Sequence, residues 1–259
     1  MTTRRTLLSS ALAATALRGQ PMQVRPSIYE LRWIRLRNGA DNQRARLTDY
    51  LRDGLVPACA RAGIAPMGVF NSSIGPDTPF ALLLTQHTSL ASMETNMAKL
   101  QADAEHAKAL AKLYSGAGSP YVRQESSLIR AFGSAPQMDT PDTDTKRPAR
   151  IFELRMYESN TGATLRRKIN MFETGEIAIF RRLGMRPVFF GETIAGSHMP
   201  NLVYMLSFDD IAHRDRAWKA FGADDEWKKM REAPGNNDAE IVSNISNWIV
   251  TPAAFSPIR

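Results

Sequence analysis

The sequence predicts an α+β fold built from two tandem ferredoxin-like units, each with the element order β-α-β-β-α-β. Short motifs recur in the same order at a nearly constant spacing, and each half of the chain shows the same succession of strand and helix patterns. Between the halves, residues 133–149 contain three prolines and almost no apolar periodicity, which is typical of a linker.

The chain begins with a segment typical of export signals. Arg4 and Arg5 precede a mild apolar stretch that ends at Leu17, and residues 14–16 (Ala-Thr-Ala) form a small-residue cleavage site. The paired arginines resemble a twin-arginine signal, and an ordinary secretory signal is the alternative. We therefore expect residues 1–26 to be a signal peptide and short leader, with the mature protein periplasmic or secreted. The apolar stretch is shorter than the roughly twenty residues that span a bilayer, so no membrane span is expected.

The first unit, residues 27–132, opens with a strand over 28–35, where apolar and polar side chains alternate. Leucines at helical spacing from Leu47 onward then predict a helix that ends at Gly63. Apolar runs and turn residues predict four further elements: strands over 67–74 and 79–86, a helix over 89–113 and a strand over 125–132.

The second unit, residues 150–259, repeats this order, starting with an alternating strand over 150–157. Apolar residues at a spacing of three to four from Leu165 to Leu183 predict a helix that stops at Gly184. The remaining predicted elements are strands over 188–194 and 201–208, a helix over 210–231 and a strand over 240–250.

Four pairs of segments carry the evidence for the repeat. They are YELR at 29–32 with FELR at 152–155, GIAP at 63–66 with GMRP at 184–187, the apolar runs at 80–84 and 202–206, and LA at 90–91 with IA at 211–212. Two helices cover one face of each predicted sheet, and the other face still needs a partner. Pairing the two open faces gives a pseudo-symmetric dimeric α/β barrel within a single chain. Alternatively, each unit pairs with another chain, so a homo-oligomer stays possible.

The second half of the chain resembles a known family. Residues 214–227 (RDRAWKAFGADDEW) are similar to the R-x-x-x-W-x-x-F-x-x-D-x-x-W pattern of NIPSNAP domains, and the opening FELRMY at 152–157 agrees with it. The resemblance extends over residues 27–259, but the first unit has Met97 in place of Trp218. It implies the dimeric α/β-barrel fold, which monooxygenases, peroxidases and ligand binders share, and it does not fix an activity.

Charge and composition favour a folded protein without a nucleic-acid site. The formal net charge is +7, but basic residues alternate with acidic ones and the tightest cluster, residues 166–168, is only three residues long. A nucleic-acid face needs clustered basic charge, so no nucleic-acid partner is expected.

Cysteine and histidine usage predicts neither a metal site nor a cofactor. Cys59 is the single cysteine, which excludes an intrachain disulfide, and it is expected to be a small buried apolar residue. His87, His106, His198 and His213 lack metal-ligand spacing and are expected at the surface. The alternative is a haem held by one axial histidine.

Acidic and basic residues on the opening strands are the best candidates for a site. The candidate ligand-binding residues are Glu30, Arg32, Glu153, Arg155 and Tyr157. Residues i and i+2 of a strand face the same side. If Tyr29, Leu31 and Trp33 pack on the helices, the charged side chains point into the barrel. They would form either a structural ion-pair network or the polar lining of a ligand cavity.

The aromatic residues of the predicted helix over 210–231 have a structural interpretation. Trp218, Phe221 and Trp227 are spaced along one helix stripe and are expected in the core, and Asp224 is expected to cap or turn the chain near the helix end.

Three hypotheses of function follow. The first is binding of a small organic molecule in a barrel cavity, without a cofactor. The second is a cofactor-independent monooxygenase- or isomerase-like enzyme, with Glu153 or Glu30 as base and Arg155 or Arg32 for orientation. The third is a protein-interaction module. A polar pocket favours the first two, whereas a filled barrel interior favours the third.

Overall fold

The computed structural model describes residues 24–140 and 148–259. The predicted signal over 1–26 lies almost entirely outside the described residues, and so does the 141–147 part of the predicted linker.

The described residues form eight strands and seven helices. In the first half these are β1 (Ile28–Arg35), α1 (consecutive segments Gln43–Tyr50, Leu51–Leu55 and Val56–Ala62), β2 (Gly68–Ile74), β3 (Phe80–His87), α2 (Leu90–Ala102), α3 (Ala104–Tyr114) and β4 (Arg123–Ala131). In the second half they are β5 (Ile151–Glu158), α4 (Gly162–Met171, Phe172–Glu176 and Ile177–Arg182), β6 (Arg186–Ala195), β7 (Asn201–Phe208), α5 (Ile211–Ala223), α6 (Asp225–Glu232), α7 (Asp238–Ile241) and β8 (Asn244–Pro252).

The eight strands close into one antiparallel barrel with the order β1-β3-β2-β8-β5-β7-β6-β4. Each half contributes four neighbouring strands, and the pairs β2–β8 and β4–β6 join the halves. The predicted α+β fold, two ferredoxin-like units forming a pseudo-symmetric dimeric α/β barrel, is therefore confirmed. No helix within 24–140 or 148–259 combines the length and apolar character needed to cross a bilayer.

Equivalent elements of the two halves keep a constant spacing along the chain. The bounds of α2 and α5, of β3 and β7, and of β4 and β8 differ by 121 residues at both ends, and those of β1 and β5 by 123. The apolar run at 80–84 is thus equivalent to 201–205, one residue away from the alignment read from sequence alone. Residues separated by these spacings occupy equivalent positions in the two halves.

Both long helices contain a wide π turn at the same place, Leu51–Leu55 in α1 and Phe172–Glu176 in α4. Each turn holds a glycine. A Cβ atom added to Gly54 would collide with Ala109, and one added to Gly175 would collide with Met230. At Gly54 the contact is a short, rigid side chain of α3, so a larger residue would push α3 away, whereas at Gly175 the flexible end of Met230 in α6 could move aside.

An aspartate divides the second predicted helix of each half into two. Asp103 separates α2 from α3 and Asp224 separates α5 from α6. Asp224 accepts a hydrogen bond from the backbone N–H of Trp227 at 3.1 Å, so its predicted capping role is confirmed. Equivalent ion pairs hold both breaks, Arg61 with Asp103 at 2.7 Å and Arg182 with Asp224 at 2.9 Å.

The barrel interior is a packed apolar core. Side chains from all eight strands meet there, among them Tyr29, Leu31 and Trp33 of β1. This corrects two expectations. The barrel holds side chains where a ligand cavity was expected. The predicted charged site residues Glu30, Arg32, Glu153 and Arg155 point away from the interior, toward the helices.

Candidate functional site

The five predicted site residues lie between the sheet and the helices, in two separate clusters. Glu30 and Arg32 lie under the helices of the first half, and Glu153, Arg155 and Tyr157 under those of the second. The alternation along each strand correctly placed these side chains on one face. It did not indicate which face, because both faces of this sheet are covered.

In the second half, Glu153 is fully buried and every side of its carboxylate is bound. Arg214 of α5 donates to both oxygens, at 2.6 and 3.0 Å, and the indole N–H of Trp218 donates to Oε2 at 2.6 Å. Arg155 adds a contact to Oε1 at 3.1 Å. Because residues i and i+4 share one face of a helix, the R-x-x-x-W segment acts as a clamp on this carboxylate.

Tyrosine and tryptophan rings enclose Arg155 beside this clamp. Its guanidinium lies 4.4 Å from the ring centre of Trp218 and donates to the hydroxyl of Tyr157 at 3.0 Å. Tyr204 in turn donates to the Tyr157 hydroxyl at 3.0 Å. Glu153, Arg155 and Arg214 thus form an ion-pair network between the sheet and the helices.

The first half keeps the carboxylate but lacks the clamp. Met93 and Met97 occupy the positions equivalent to Arg214 and Trp218, so no helix residue donates there. Oε1 of Glu30 instead accepts three hydrogen bonds, from Arg32 at 2.7 and 3.0 Å and from Ser126 at 2.8 Å. Among the described residues, no hydrogen bond reaches Oε2. Glu30 is therefore a buried carboxylate with one open oxygen.

Smaller side chains in the first half leave a cavity above Glu30. Cys59, Met97 and Leu100 take the places that Phe180, Trp218 and Phe221 fill in the second half. The cavity has a volume of about 20 Å³, room for about one water molecule. We call it the first-half pocket; its lining is Glu30, Arg32, Leu55, Cys59, Ile64, Met67, Leu83, Thr85, His87, Met97 and Leu100.

His87 gives this pocket a second polar group that the sequence did not predict. It is only 2% exposed, which corrects its expected surface position. Its Nε2 lies 3.3 Å from the Thr85 hydroxyl, and its Nδ1 is buried without a partner among the described residues. Burial lowers the pKa of His87, so the ring is neutral at physiological pH. The repeat could have indicated this burial, because the equivalent position in the second half is Phe208, a large apolar residue.

Cys59 is buried, as predicted, at 3% exposure. Burial raises the pKa of its thiol to about 11, so the group stays protonated and is a poor nucleophile. Within the described parts of the chain, no cluster of three potential ligand residues could hold a metal ion.

A buried ion pair in the second half was also missed. Lys168 is 1% exposed and contacts Glu176 and Asp238, each at 3.0 Å. Burial raises the pKa of Glu176 to about 7, with Lys168 opposing the rise. The first half has Leu47 and Leu55 at the positions of this pair. The Lys168–Glu176 ion pair therefore occurs in the second half and has no equivalent in the first.

The fold is a dimeric α/β barrel made by one chain. Between the sheet and the helices, the second half is filled by side chains, whereas the first half contains a pocket. Residues 152–257 match the model of the NIPSNAP family, so the second half of the chain is similar to a NIPSNAP domain. The clamp on Glu153 is the structural role of that signature in this chain. No curated protein shows significant sequence similarity to the chain.

Solved structures share the whole barrel at low sequence identity. A candidate monooxygenase from Fusobacterium nucleatum aligns with a TM-score of 0.58 and 5% identity, covering 88% of this chain and 93% of that one. An anthrone oxidase-like protein gives 0.52 and 13%, covering 88% and 91%. A NIPSNAP-like domain protein from Burkholderia xenovorans is 26% identical over 42% of this chain and 90% of its own, with a TM-score of 0.38. The first two similarities concern the fold alone.

Proposed function

We propose that this protein binds a small, mainly apolar organic molecule in the first-half pocket. One observation carries the proposal: the same strand carboxylate is clamped shut in the second half and has an open oxygen in the first. Glu30 lines the pocket and its Oε2 has no donor among the described residues, so this oxygen can accept a hydrogen bond from a bound molecule. Because apolar side chains fill the barrel interior, we propose the site in this pocket and not inside the barrel.

The lining suggests the chemistry of the ligand. Oε2 of Glu30 is an acceptor without a donor, so a hydroxyl or N–H group on the ligand is favoured over a carboxylate. The remaining lining is aliphatic or sulfur-containing and suits an apolar body. Met67 and Met97 are flexible side chains. We expect them to move aside on binding, since the present cavity holds about one water.

A second candidate function is a cofactor-independent enzyme at the same site. The open oxygen of Glu30 lies in an apolar pocket beside a neutral His87, an environment in which a carboxylate can act as a general base. Arg32 would orient the substrate. Monooxygenase-like neighbours share the fold, and that similarity adds no residue-level support. If neither binding nor turnover is found, the protein-interaction hypothesis is favoured, as the filled barrel implies.

Filling the pocket tests the proposal. Met97→Trp installs the ring found at the equivalent position of the second half, and Thr95→Trp places the same ring on the exposed side of α2 as a matched control. Native mass spectrometry of protein from its own host should detect a retained ligand in wild type and T95W but not in M97W. Thermal shift with 1-octanol, and with octanoate as the carboxylate comparison, should follow the same pattern, with 1-octanol giving the larger shift.

Equal ligand retention in M97W and T95W would place the site elsewhere. A larger thermal shift with octanoate than with 1-octanol would contradict the role of Glu30 as acceptor.

We also propose that the chain is exported through its twin-arginine-like signal, which the adjacent Arg4 and Arg5 support.

A further inference from the structure

A second pocket lies at one end of the barrel, apart from the first-half pocket. It has a volume of about 290 Å³ and opens where β1 and β5 end, beside the turns β2–β3 and β6–β7. We call it the barrel-mouth pocket. Its wall includes Trp33, Trp248, Met156, Arg35, Ser127 and His198.

The floor of this pocket is aromatic. Trp33 and Trp248 are 5% and 8% exposed, and their ring centres lie 5.0 Å apart. The guanidinium of Arg35 stacks over Trp33 at 4.6 Å from the ring centre. Flat aromatic and guanidinium surfaces favour contact with a planar ring.

A difference between the two halves creates the space. Ser127 on β4 is equivalent to Trp248 on β8, and Gly196 is equivalent to Gly75, each 121 residues apart. The indole of Trp248 packs against Gly75 and fills its side of the mouth, whereas only the small Ser127 packs against Gly196. The barrel-mouth pocket therefore lies on the side that lacks an indole.

Two hydrogen-bond donors of the lining define the polarity of the occupant. Arg35 Nη1 and Trp248 Nε1 are buried and have no acceptor among the described residues, and such groups favour an incoming acceptor. The charge of Arg35 is already offset by Glu125 at 2.7 Å and Asp77 at 3.9 Å. A second negative charge would meet these carboxylates, so a neutral acceptor fits better than an anion.

We propose that the barrel-mouth pocket binds a planar, neutral aromatic molecule of one or two rings that carries an acceptor oxygen, such as an aryl ketone. The ring takes the place of the indole that Ser127 does not provide, and the oxygen accepts from Trp248 or Arg35. This site is independent of the first-half pocket and of the function proposed there.

The test uses 1-indanone as the probe and indane, which lacks the oxygen, as its matched comparison. In proton–nitrogen correlation spectra of the full chain, 1-indanone should shift the indole N–H signal of Trp248, identified by its loss in Trp248→Phe, in a saturable way. Indane should bind about fivefold more weakly, the factor expected for one neutral hydrogen bond. Ser127→Trp should raise the dissociation constant of 1-indanone at least tenfold, and Thr95→Trp should leave it unchanged.

Each outcome decides the proposal. An unshifted Trp248 signal, or wild-type affinity in S127W, would overturn the site. Equal binding of indane and 1-indanone would overturn the acceptor chemistry. If S127W does not fold, W248F replaces it, because it keeps a ring and loses the donor. W248F should weaken 1-indanone binding about fivefold, and unchanged affinity would refute the proposal.

Discussion

Replacing Glu153 by glutamine should unfold this protein far more readily than the same change at Glu30. The substitution keeps the shape of the side chain and removes one negative charge. At position 153 the new amide group must face donors whichever way it turns, because Arg214 and Trp218 donate to Oε2 while Arg214 and Arg155 donate to Oε1. The two guanidinium groups would also lose their shared counter-charge.

The expected cost follows from this geometry. Glu153 is 0% exposed, and breaking a buried ion pair by removing one partner costs about 3–5 kcal/mol. At position 30 the amide oxygen can keep the contacts from Arg32 and Ser126, and the new N–H group faces the open side. The Arg32 side chain is 23% exposed, so water compensates its charge, and the loss should be about 1 kcal/mol or less.

Urea unfolding of wild type, E153Q and E30Q at 25 °C measures both quantities, with an unchanged m-value as the control for a two-state transition. We expect the free energy of unfolding to fall at least about 2 kcal/mol further in E153Q than in E30Q. Equal losses in the two variants, or a larger loss in E30Q, would refute the distinction between a structural second cluster and an open first one.

Three further predictions concern other features. Lys168→Leu leaves the Glu176 carboxylate buried without its cation and should cost about 3 kcal/mol in urea unfolding, whereas the double variant with Glu176→Leu should recover most of that loss; no recovery would contradict the pairing. Since burial lowers the His87 pKa below its ordinary 6.5, the unfolded chain binds the proton more readily, so stability should be complete above pH 6.5 and fall as the pH drops through the folded-state pKa. His87→Phe should flatten this decline, and an identical pH profile would disprove it. Replacing Arg4 and Arg5 by lysine should leave precursor in the cytoplasm on fractionation, and an unchanged periplasmic yield would argue against a twin-arginine route.

Much of the fold could be predicted because local patterns dictate it. The strand predicted over 28–35 and the one predicted over 201–208 agree with β1 and β7 at both ends. The predicted strand over 240–250 was partly wrong, since Asp238–Ile241 forms a short helix that Asn237 caps. Such a four-residue helix leaves almost no periodic signal in the sequence.

By itself, the sequence determined the order of elements, their recurrence in both halves, and the pairing of Glu30 with Arg32 on one side of a strand, because each depends on local periodicity. Only the tertiary structure decided which side that was. Both faces of the sheet are covered, one by the barrel core and the other by helices, so the alternation had no solvent-exposed face as its reference. The packing of the helices on the sheet likewise decided that Glu153 is clamped while Glu30 has an open oxygen, since this depends on which helix residues lie above each carboxylate.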